Sequence, residues 1–285
     1  MKENIVVKKN EMLRFGYNLS VNEQRLLLAC ISQIDSRSTL DSNQQFVVTV
    51  QEIKDLFSLD GGQIYAQLKT ACDRLFERKI VTREGTSTTK LRWVYKVIYD
   101  ETDSTIKLNF SPDVIPYLTS ISKNFTRYKL KEVAAFKCVY SVRIYELFAQ
   151  FQGVGAVSYD IDELRWMLDV DKKYTLYGDF RRNVIERAIS EINLHSNLEV
   201  TFAETKVKRK VVSLQFAFKT KSKPIAPAKA KATKAVSKPK TEKEEFDLLV
   251  NEVANSRKRF GSAINETNVP ENVISILKQQ GRWQG

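Results

Sequence analysis

The sequence predicts an α+β protein made of two similar halves in tandem. Three features support this prediction. Apolar residues at helical spacing alternate with short β-branched runs, the same order of elements occurs twice, and a stretch rich in Lys, Ala and Pro follows the second copy. With 285 residues, of which 42% are hydrophobic, the chain is long enough for two domains with a sizeable core.

The first half begins with "YNLSVNEQRLLLACISQI", where Glu23 follows Ser20 by three residues. This spacing is typical of a capping box and predicts a helix over about residues 21–34. "FVVTV" then predicts a strand, "QEIKDLF" a short helix and "IYAQLKTACDRLFERKI" a longer helix. The alternating segments that follow predict a β-hairpin, so the order is helix, strand, helix, turn, helix, hairpin.

The second half repeats this order. "KEVAAFKCVYSVRIYELFAQFQ" predicts one long helix that ends at Gly153, "AVSYD" a strand and "IDELRWMLDV" a short helix. "YGDFRRNVIERAISEIN" then predicts the longer helix, and "NLEVTFAETKVKRKVVSLQFAFK" the hairpin. The two copies are offset by about 110 to 119 residues.

A helix, a turn, a second helix and a β-hairpin make a winged helix-turn-helix, in which the second helix enters the DNA major groove. The predicted fold is therefore α+β, with two tandem winged helix-turn-helix domains at residues 1–122 and 123–220. We expect a disordered basic linker over residues 221–241 and a partly helical tail over residues 242–285. Winged domains also serve as protein-contact modules, so protein contact alone is the alternative to DNA binding for these two domains.

The net charge of +12 is concentrated late in the sequence. Residues 1–171 carry 23 Lys and Arg against 22 Asp and Glu, whereas residues 172–220 carry 10 against 5. Residues 221–240 hold seven Lys and no acid, a composition that on its own is typical of a solvated tether. A local positive field attracts polyanions, with nucleic acid the leading candidate and acidic membrane surfaces the second.

The residues needed for common catalytic sites are scarce. The chain has no GxxxxGK loop and only His195 as a histidine, which excludes the paired-histidine metal site of a nickase. Cys30, Cys72 and Cys138 lack CxxC spacing and are expected to be buried thiols in a reducing compartment. We therefore expect neither enzymatic activity nor a cofactor or metal.

The acidic stretch "YDIDEL" offers Asp160, Asp162 and Glu163 as conceivable metal ligands. Acids are more often found at the start of a helix, where they suit the helix dipole, and we expect that role here. "MKENIVVKKNEM" has no apolar signal segment, and no run of eighteen apolar residues occurs in the chain. These patterns predict a cytoplasmic protein without membrane partners.

The helix "YGDFRRNVIERAISEIN" carries more arginine than a helix surface needs. At 100° per residue its apolar residues, from Val184 to Ile192, cover about half of the circle. The other half holds Arg182, Asn183, Glu186, Arg187, Ser190 and Asn193, whereas Arg181 falls on the apolar side and is expected to reach only a phosphate. Asp179 is expected to cap the helix. Arginine with asparagine favours contact with purine edges and phosphates over a merely solvated face.

Further cations flank this helix. Lys172 and Lys173 precede it, and Lys206, Lys208 and Arg209 lie at the hairpin tip, where a wing would meet the DNA backbone. The corresponding set in the first half is Lys69, Arg74 and Arg78 on the helix, with Lys90 and Arg92 on the wing. Neighbouring acids weaken the positive charge of this set in the first half. We therefore predict that the first half makes weaker, phosphate-dominated contact with DNA, or that it forms a protein interface.

Three segments in this order resemble a known family. "NEMLRFGYNLSVNEQRLLLACISQI", "FTRYKLKEVAAFKCVYSVRIYELFAQF" and "YTLYGDFRRNVIERAISEIN" are similar to the replication initiator (Rep) proteins of theta-replicating, iteron-containing plasmids. The resemblance covers about residues 5–220 and implies two winged-helix domains. It places the recognition helix on Arg181, Arg182, Asn183, Glu186 and Arg187, where the family often has proline at the position of Arg187.

The resemblance also implies a function. Monomers would bind directly repeated origin sites, favour opening of nearby A+T-rich DNA, and recruit the host chromosomal initiator and replicative helicase. Dimers formed through the first domain would bind an operator inverted repeat and repress the initiator's own gene. A winged-helix transcriptional regulator without initiator activity is the main alternative, and a nuclease is a third.

Overall fold

The computed structural model describes residues 4–221 and 271–281. Outside these ranges lie the predicted linker, apart from Lys221, and most of the predicted tail. Two winged-helix units are present in residues 4–221, as the sequence predicts, and one continuous hydrophobic core runs through both. In the second described range, Glu271–Gln279 form a helix, α9.

The first winged unit follows strand β1 (Ile5–Lys9) and the short helix α1 (Asn10–Leu13). Its elements are α2 (Val21–Ile31), β2 (Phe46–Thr49), α3 (Val50–Phe57), α4 (Ile64–Glu77), β3 (Lys79–Glu84), β4 (Ser87–Arg92), β5 (Val94–Asp100) and β6 (Thr105–Phe110). The predicted capping box of α2 is confirmed, since Ser20 N–H donates to Glu23 at 2.8 Å and Glu23 N–H donates to Ser20 Oγ at 3.4 Å.

The second winged unit follows β7 (Phe125–Lys129), which pairs antiparallel with β1. Its elements are α5 (Ser141–Ala149), β8 (Ala156–Asp160), α6 (Ile161–Met167), α7 (Tyr177–Phe180), a π-helical segment (Arg181–Glu186), α8 (Arg187–His195), β9 (Leu198–Val207) and β10 (Lys210–Thr220). Asp160, Asp162 and Glu163 lie at the start of α6, as predicted. In the described residues no cluster of His, Cys, Asp and Glu side chains could hold a metal ion.

The two winged units share a sheet topology. In the first, the order is β2-β6-β5, and in the second it is β8-β10-β9, with every neighbour antiparallel. The hairpin β5–β6 therefore occupies the wing position of the first unit. The hairpin β3–β4 is an additional two-stranded sheet, so the prediction that Lys90 and Arg92 lie on the first wing is wrong.

The predicted long helix over residues 131–152 is also wrong in extent, because only Ser141–Ala149 form α5. Side chains from other elements satisfy the backbone before it. Glu191 accepts from the N–H groups of Lys137 and Cys138, at 3.1 and 2.9 Å, and Gln24 donates to the carbonyl of Val139 at 2.7 Å. These bonds replace the helical ones that the segment would otherwise need.

A buried arginine joins the two winged units. Arg143 of α5 donates to the carbonyl oxygens of Leu13 and Phe15 at 3.1 and 2.8 Å, and to that of Met167 at 3.1 Å. It also donates to the hydroxyl of Tyr17 and lies 3.6 Å from the centroid of that ring. One guanidinium thus fastens the segment before α2 to the helix-turn-helix of the second unit.

The additional hairpin makes a second contact between the units. Arg83 of β3 stacks over the Trp166 ring at 3.5 Å, and the backbone of Gly16 bonds in both directions with Val81 at 2.9 Å. A Cβ at Gly16 would lie 3.1 Å from the carbonyl oxygen of Trp166 and 3.2 Å from its ring, so a larger residue would require Trp166 to shift by a few tenths of an ångström.

Candidate nucleic-acid interface

The recognition helix of the second unit consists of α7, the π-helical segment and α8. Its apolar residues are fully or almost fully buried, as predicted: Phe180, Val184, Ile185, Ala188, Ile189 and Ile192. Arg181, Arg182, Arg187 and Ser190 are exposed, and Asn183 and Glu186 are half-buried. The predicted polar face is therefore present except at Asn193, whose side chain bonds the backbone of Val200 in β9 in both directions, at 2.6 and 2.9 Å.

A π-helical segment begins at Arg181. A π-helix bonds i to i+5 and has more residues per turn than an α-helix, so a step of 100° per residue does not hold across Arg181–Glu186. Arg181 is exposed, but its guanidinium lies 5.7 Å from the centroid of the Phe202 ring of β9, and its contact with a phosphate stays a prediction. π-Bulges are rare in α-helices as a whole, and many of those that occur lie at functional sites.

Asp179 binds an arginine side chain and does not cap the helix as predicted. The first helical turn has no side-chain cap, and Oδ1 of Asp179 accepts from Nη2 of Arg182 at 2.8 Å. Asn183 donates to the carbonyl oxygen of Asp179 at 3.0 Å. Arg182 nevertheless keeps 72% of its side chain exposed, so the pair is easily exchanged for a ligand.

Glu204 of β9 links the recognition helix to the wing. Its carboxylate accepts from Tyr177 Oη at 2.7 Å and from Arg181 Nη1 at 2.9 Å, and pairs with Lys206 at 3.3 Å. Arg181 also donates to Glu186 at 2.8 Å. Partial burial disfavours the charged form of Glu204, but the hydrogen bonds from Tyr177 and Lys206 and the charge of Arg181 outweigh it and lower the pKa of this carboxyl.

The wing tip is a tight turn between β9 and β10. Val207 pairs with Lys210, so the loop consists of Lys208 and Arg209. Both side chains are exposed, and Lys208 has a φ of 55°, in the left-handed region that favours glycine or asparagine. With Lys206, which is 56% exposed, the predicted cations of the wing lie together at one end of the hairpin.

The two lysines before the recognition helix differ in their surroundings. Lys172 is exposed. Lys173 donates to Tyr140 Oη at 3.3 Å and lies 5.2 Å from the centroid of the Tyr174 ring. The hydrogen bond with Tyr140 raises the pKa of Lys173, so this amine stays charged at neutral pH.

Most of the cations predicted for the first unit are already paired. Lys69 bonds Glu101 at 2.8 Å, and Arg78 makes a bidentate pair with the buried Glu23 at 3.1 and 3.2 Å. Arg92 donates to the carbonyl oxygen of Phe76 and to the carboxylate of Glu77. Arg74 and Lys90 are exposed. The arrangement agrees with the prediction that acids weaken the positive field of this unit.

Glu204 and Tyr177 belong to this surface although sequence reasoning did not select them. The signal for Glu204 was an acid in a hairpin otherwise rich in lysine, and it became interpretable only when the pairing placed it beside Arg181. Leu176 and Val207, which are 69% and 59% exposed at the helix start and the wing tip, were also missed, because single apolar residues in turns look ordinary.

The fold and the cationic helix and wing define a tandem winged-helix protein, an architecture that often places its second helix in the DNA major groove. The chain belongs to the initiator replication protein family. Residues 5–149 match the family described as Initiator Replication protein, WH1, and residues 160–218 match Initiator Rep protein, WH2.

Two relatives from Escherichia coli show the extent of the similarity. A replication initiation protein is 23% identical over 209 residues, which are 70% of this chain and 65% of the relative, so the match spans less than two thirds of that protein. The PI protein is 22% identical over 255 residues, covering 76% of this chain and 83% of the relative.

A solved structure has the same fold. The Pi initiator protein in complex with iteron DNA superposes with a TM-score of 0.67 at 22% identity, covering 78% of this chain and 100% of that chain. In the part of the chain that the structure describes, no helix is both long and apolar enough to cross a membrane.

Proposed function

We propose that the protein is a sequence-specific DNA-binding initiator of plasmid replication. The observation that carries this proposal is the joint presentation of Arg182, Arg187 and the wing cations on the second winged unit of a chain that belongs to the initiator family. Arg182 and Asn183 contact base edges in the major groove, and Arg187 and the wing contact phosphates. The similar Pi initiator protein was solved in complex with iteron DNA, which supports direct repeats as the ligand.

Initiation requires binding and strain, with no catalytic step by this chain. Both winged units grip successive faces of one duplex, roughly 10 base pairs apart. The resulting deformation favours opening of adjacent A+T-rich DNA, whose steps are the easiest to distort. The opened region is then accessible to the host initiator and replicative helicase, and the protein acts in the cytoplasm with the plasmid.

Repression of its own gene by dimers is the second part of the proposal. The outer face of the β2-β6-β5 sheet supports self-association, because Val47 and Ile98, 39% and 38% exposed, flank Lys107 on neighbouring strands. Exposed apolar residues on an open sheet are suited to pairing with a second copy. Light scattering should show a concentration-dependent dimer that Ile98→Glu abolishes; an unchanged dimer would place the interface elsewhere.

A gel-shift experiment tests the proposed function. The DNA beside the gene is searched for tandem repeats of about two helical turns, the span of two groove-binding units. An initiator should load as monomers on tandem direct repeats, giving one added shifted band per repeat. Binding confined to a single inverted repeat would favour a transcriptional regulator, and metal-dependent cleavage of supercoiled origin DNA would favour a nuclease.

A further inference from the structure

A small cavity lies between the first winged unit and α5 of the second. Its lining includes Tyr17 from the segment before α2, Trp93 from the connection between β4 and β5, and Val142, Arg143 and Glu146 from α5. The cavity leaves about 10 Å³ in which the centre of a water molecule can lie, which is room for one water and for no larger ligand. Every side chain that lines it is buried, so the space belongs to the protein interior.

Three polar atoms of the lining side chains have no hydrogen-bond partner in the described residues. They are Nε1 of Trp93, Nε of Arg143 and Oε2 of Glu146. These residues are only 1%, 3% and 0% exposed, so bulk water does not reach the three atoms. Folded proteins provide a partner for the large majority of such buried groups. The cavity is therefore a polar site with three unsatisfied hydrogen-bonding positions.

The other polar atoms of Arg143 and Glu146 hold both side chains in place. Oε1 of Glu146 accepts from Lys8 and Tyr128, both at 2.7 Å. Oε2 lies 3.8 Å from Nη1 of Arg143, which is beyond hydrogen-bond distance. Nη1 and Nη2 of Arg143 donate to the hydroxyl of Tyr17 and to three carbonyl oxygens. Neither side chain can turn to satisfy its third group without breaking these bonds.

The donors and the acceptor at the cavity select the chemistry of a ligand. Trp93 and Arg143 each present an N–H donor, whereas Glu146 presents an acceptor. A metal or ammonium ion would be repelled by the guanidinium and by both N–H groups, and an anion would be repelled by the carboxylate of Glu146. A water molecule is neutral, accepts two hydrogen bonds and donates two, so it suits all three atoms at once.

We propose that one water molecule is bound in this cavity and joins the two winged units. The water accepts from Nε1 of Trp93 and from Nε of Arg143, and it donates to Oε2 of Glu146. Buried waters typically make about three hydrogen bonds to polar groups that have no other partner, which matches this set. The water adds a polar contact between the β4–β5 connection and α5, and the inference does not depend on DNA binding.

Nuclear magnetic resonance of the full-length protein tests the proposal through the tryptophan indoles. The chain has three Trp residues, so Trp166→Phe and Trp283→Phe assign two indole N–H signals and leave the third to Trp93. Water-selective NOE and ROE spectra should show a dipolar contact between the Trp93 indole proton and a long-lived water. Trp166 is the control, because its half-buried ring stacks with Arg83 and does not line the cavity. Its indole should show no long-lived water.

Tyr17→Phe separates a bound water from an exchanging hydroxyl. The ring of Tyr17 packs edge to face against Trp93, with 4.9 Å between the ring centroids, and a hydroxyl proton that exchanges with bulk water can produce a similar cross peak. The cross peak should persist in Tyr17→Phe, because the Tyr17 hydroxyl is not one of the three atoms that bind the water. Its loss from the folded variant would overturn the proposal.

A crystal structure of the full-length wild-type protein keeps the proposal testable if Tyr17→Phe does not fold. One density peak should lie within about 3.2 Å of all three atoms. A cavity without that peak would overturn the proposal, as would a wild-type Trp93 indole without a dipolar contact to water. The indole N–H would then face the Tyr17 ring as a weak donor. A peak surrounded by several oxygen ligands would identify a cation and would also overturn the proposal.

Discussion

At the level of single residues, we propose Arg182 as the side chain that reads a base. It lies in the first turns of the recognition helix and is 72% exposed, with Asp179 as its partner in the free protein. Its outward direction could be predicted from the apolar spacing of the helix. Its pairing with Asp179 could not, because the same carboxylate was equally suited to capping the helix.

Replacing Arg182 with Ala should cost about 1–3 kcal/mol of binding free energy and relax the preference at one base position. The reason is loss of a bidentate contact to a purine edge. Competition binding against a panel of single-base variants measures the effect. A loss of equal size on random DNA would make Arg182 a phosphate contact.

Glu204→Gln should weaken the connection between helix and wing. The folded protein lowers the pKa of Glu204, so its stabilisation is present above the ordinary carboxyl value of 4.5 and is lost as pH falls through the lowered value. We expect a loss of about 1–2 kcal/mol in the free energy of unfolding at pH 7, and a progressively smaller difference from wild type as the pH falls below 4.5. Urea unfolding at several pH values measures both.

Glu199→Gln is the matched control for this experiment. Glu199 lies on the same strand and pairs with Lys219 at 3.3 Å, but both side chains are more exposed, at 43% and 73%. Such a surface pair contributes under about 1 kcal/mol. Equal losses in the two variants would show that the carboxylate network around Glu204 has no special role.

At the level of elements, the two hairpins of the first unit show where sequence reasoning reached its limit. In both hairpins, β3–β4 and β5–β6, apolar and polar residues alternate, and both hairpins follow α4, so either could be the wing. Only the pairing of β2 with β6 distinguishes them, and that contact joins Phe46 to Leu108 across a long stretch of sequence. The element order could be predicted, but the identity of the wing depended on a non-local pairing.

The recognition helix could also be predicted only in part. Its length and buried side followed from Val184, Ile185, Ala188, Ile189 and Ile192, whereas its π-helical segment did not. No residue type marks a π-bulge in this stretch, in which Val184 and Ile185 are both fully buried. The segment lies immediately before Arg187, where the family often has proline, so a helix irregularity occurs here without proline.

The wing turn allows a prediction that separates stability from binding. Lys208→Gly removes the strain of a left-handed residue with a side chain and should stabilise the fold by up to about 1 kcal/mol. It should also weaken DNA binding several-fold, because one wing cation is lost. Thermal unfolding and a salt-dependent binding assay measure the two effects.

Arg209→Gly provides the comparison for the turn. Arg209 is not among the residues with positive φ, so glycine brings no relief of strain and only adds freedom to the unfolded chain. This variant should be slightly less stable than wild type. If Lys208→Gly were destabilised to the same degree, the left-handed conformation of Lys208 would not limit the stability of the wing.

At the level of the whole molecule, buried charge holds the two units together. Lys8 and Tyr128 both donate to Glu146 at 2.7 Å, and Arg143 lies 3.8 Å from the other carboxylate oxygen. All four side chains are almost fully inaccessible to solvent. Composition could not reveal this cluster, because its members come from β1, β7 and α5, which are far apart in sequence.

Arg143→Met should destabilise the protein by about 3–5 kcal/mol, because three buried carbonyl groups and the hydroxyl of Tyr17 lose their donor. Urea unfolding measures the change. Arg127→Met, at an exposed position of β7, should change the free energy of unfolding by about 0.5 kcal/mol or less. A small effect of Arg143→Met would mean that this guanidinium contributes little to the association of the two units.

The contacts of Arg143 also bear on the spacing between DNA sites. Because it binds carbonyl groups from both sides of the junction, it restrains how the second unit packs against the segment before α2. DNA turns by about 35° for each added base pair, so a single inserted pair would move one half of a site out of phase with the other. If both units bind one duplex, as we propose, the restraint by Arg143 would also limit the spacing of the DNA sites that the protein accepts.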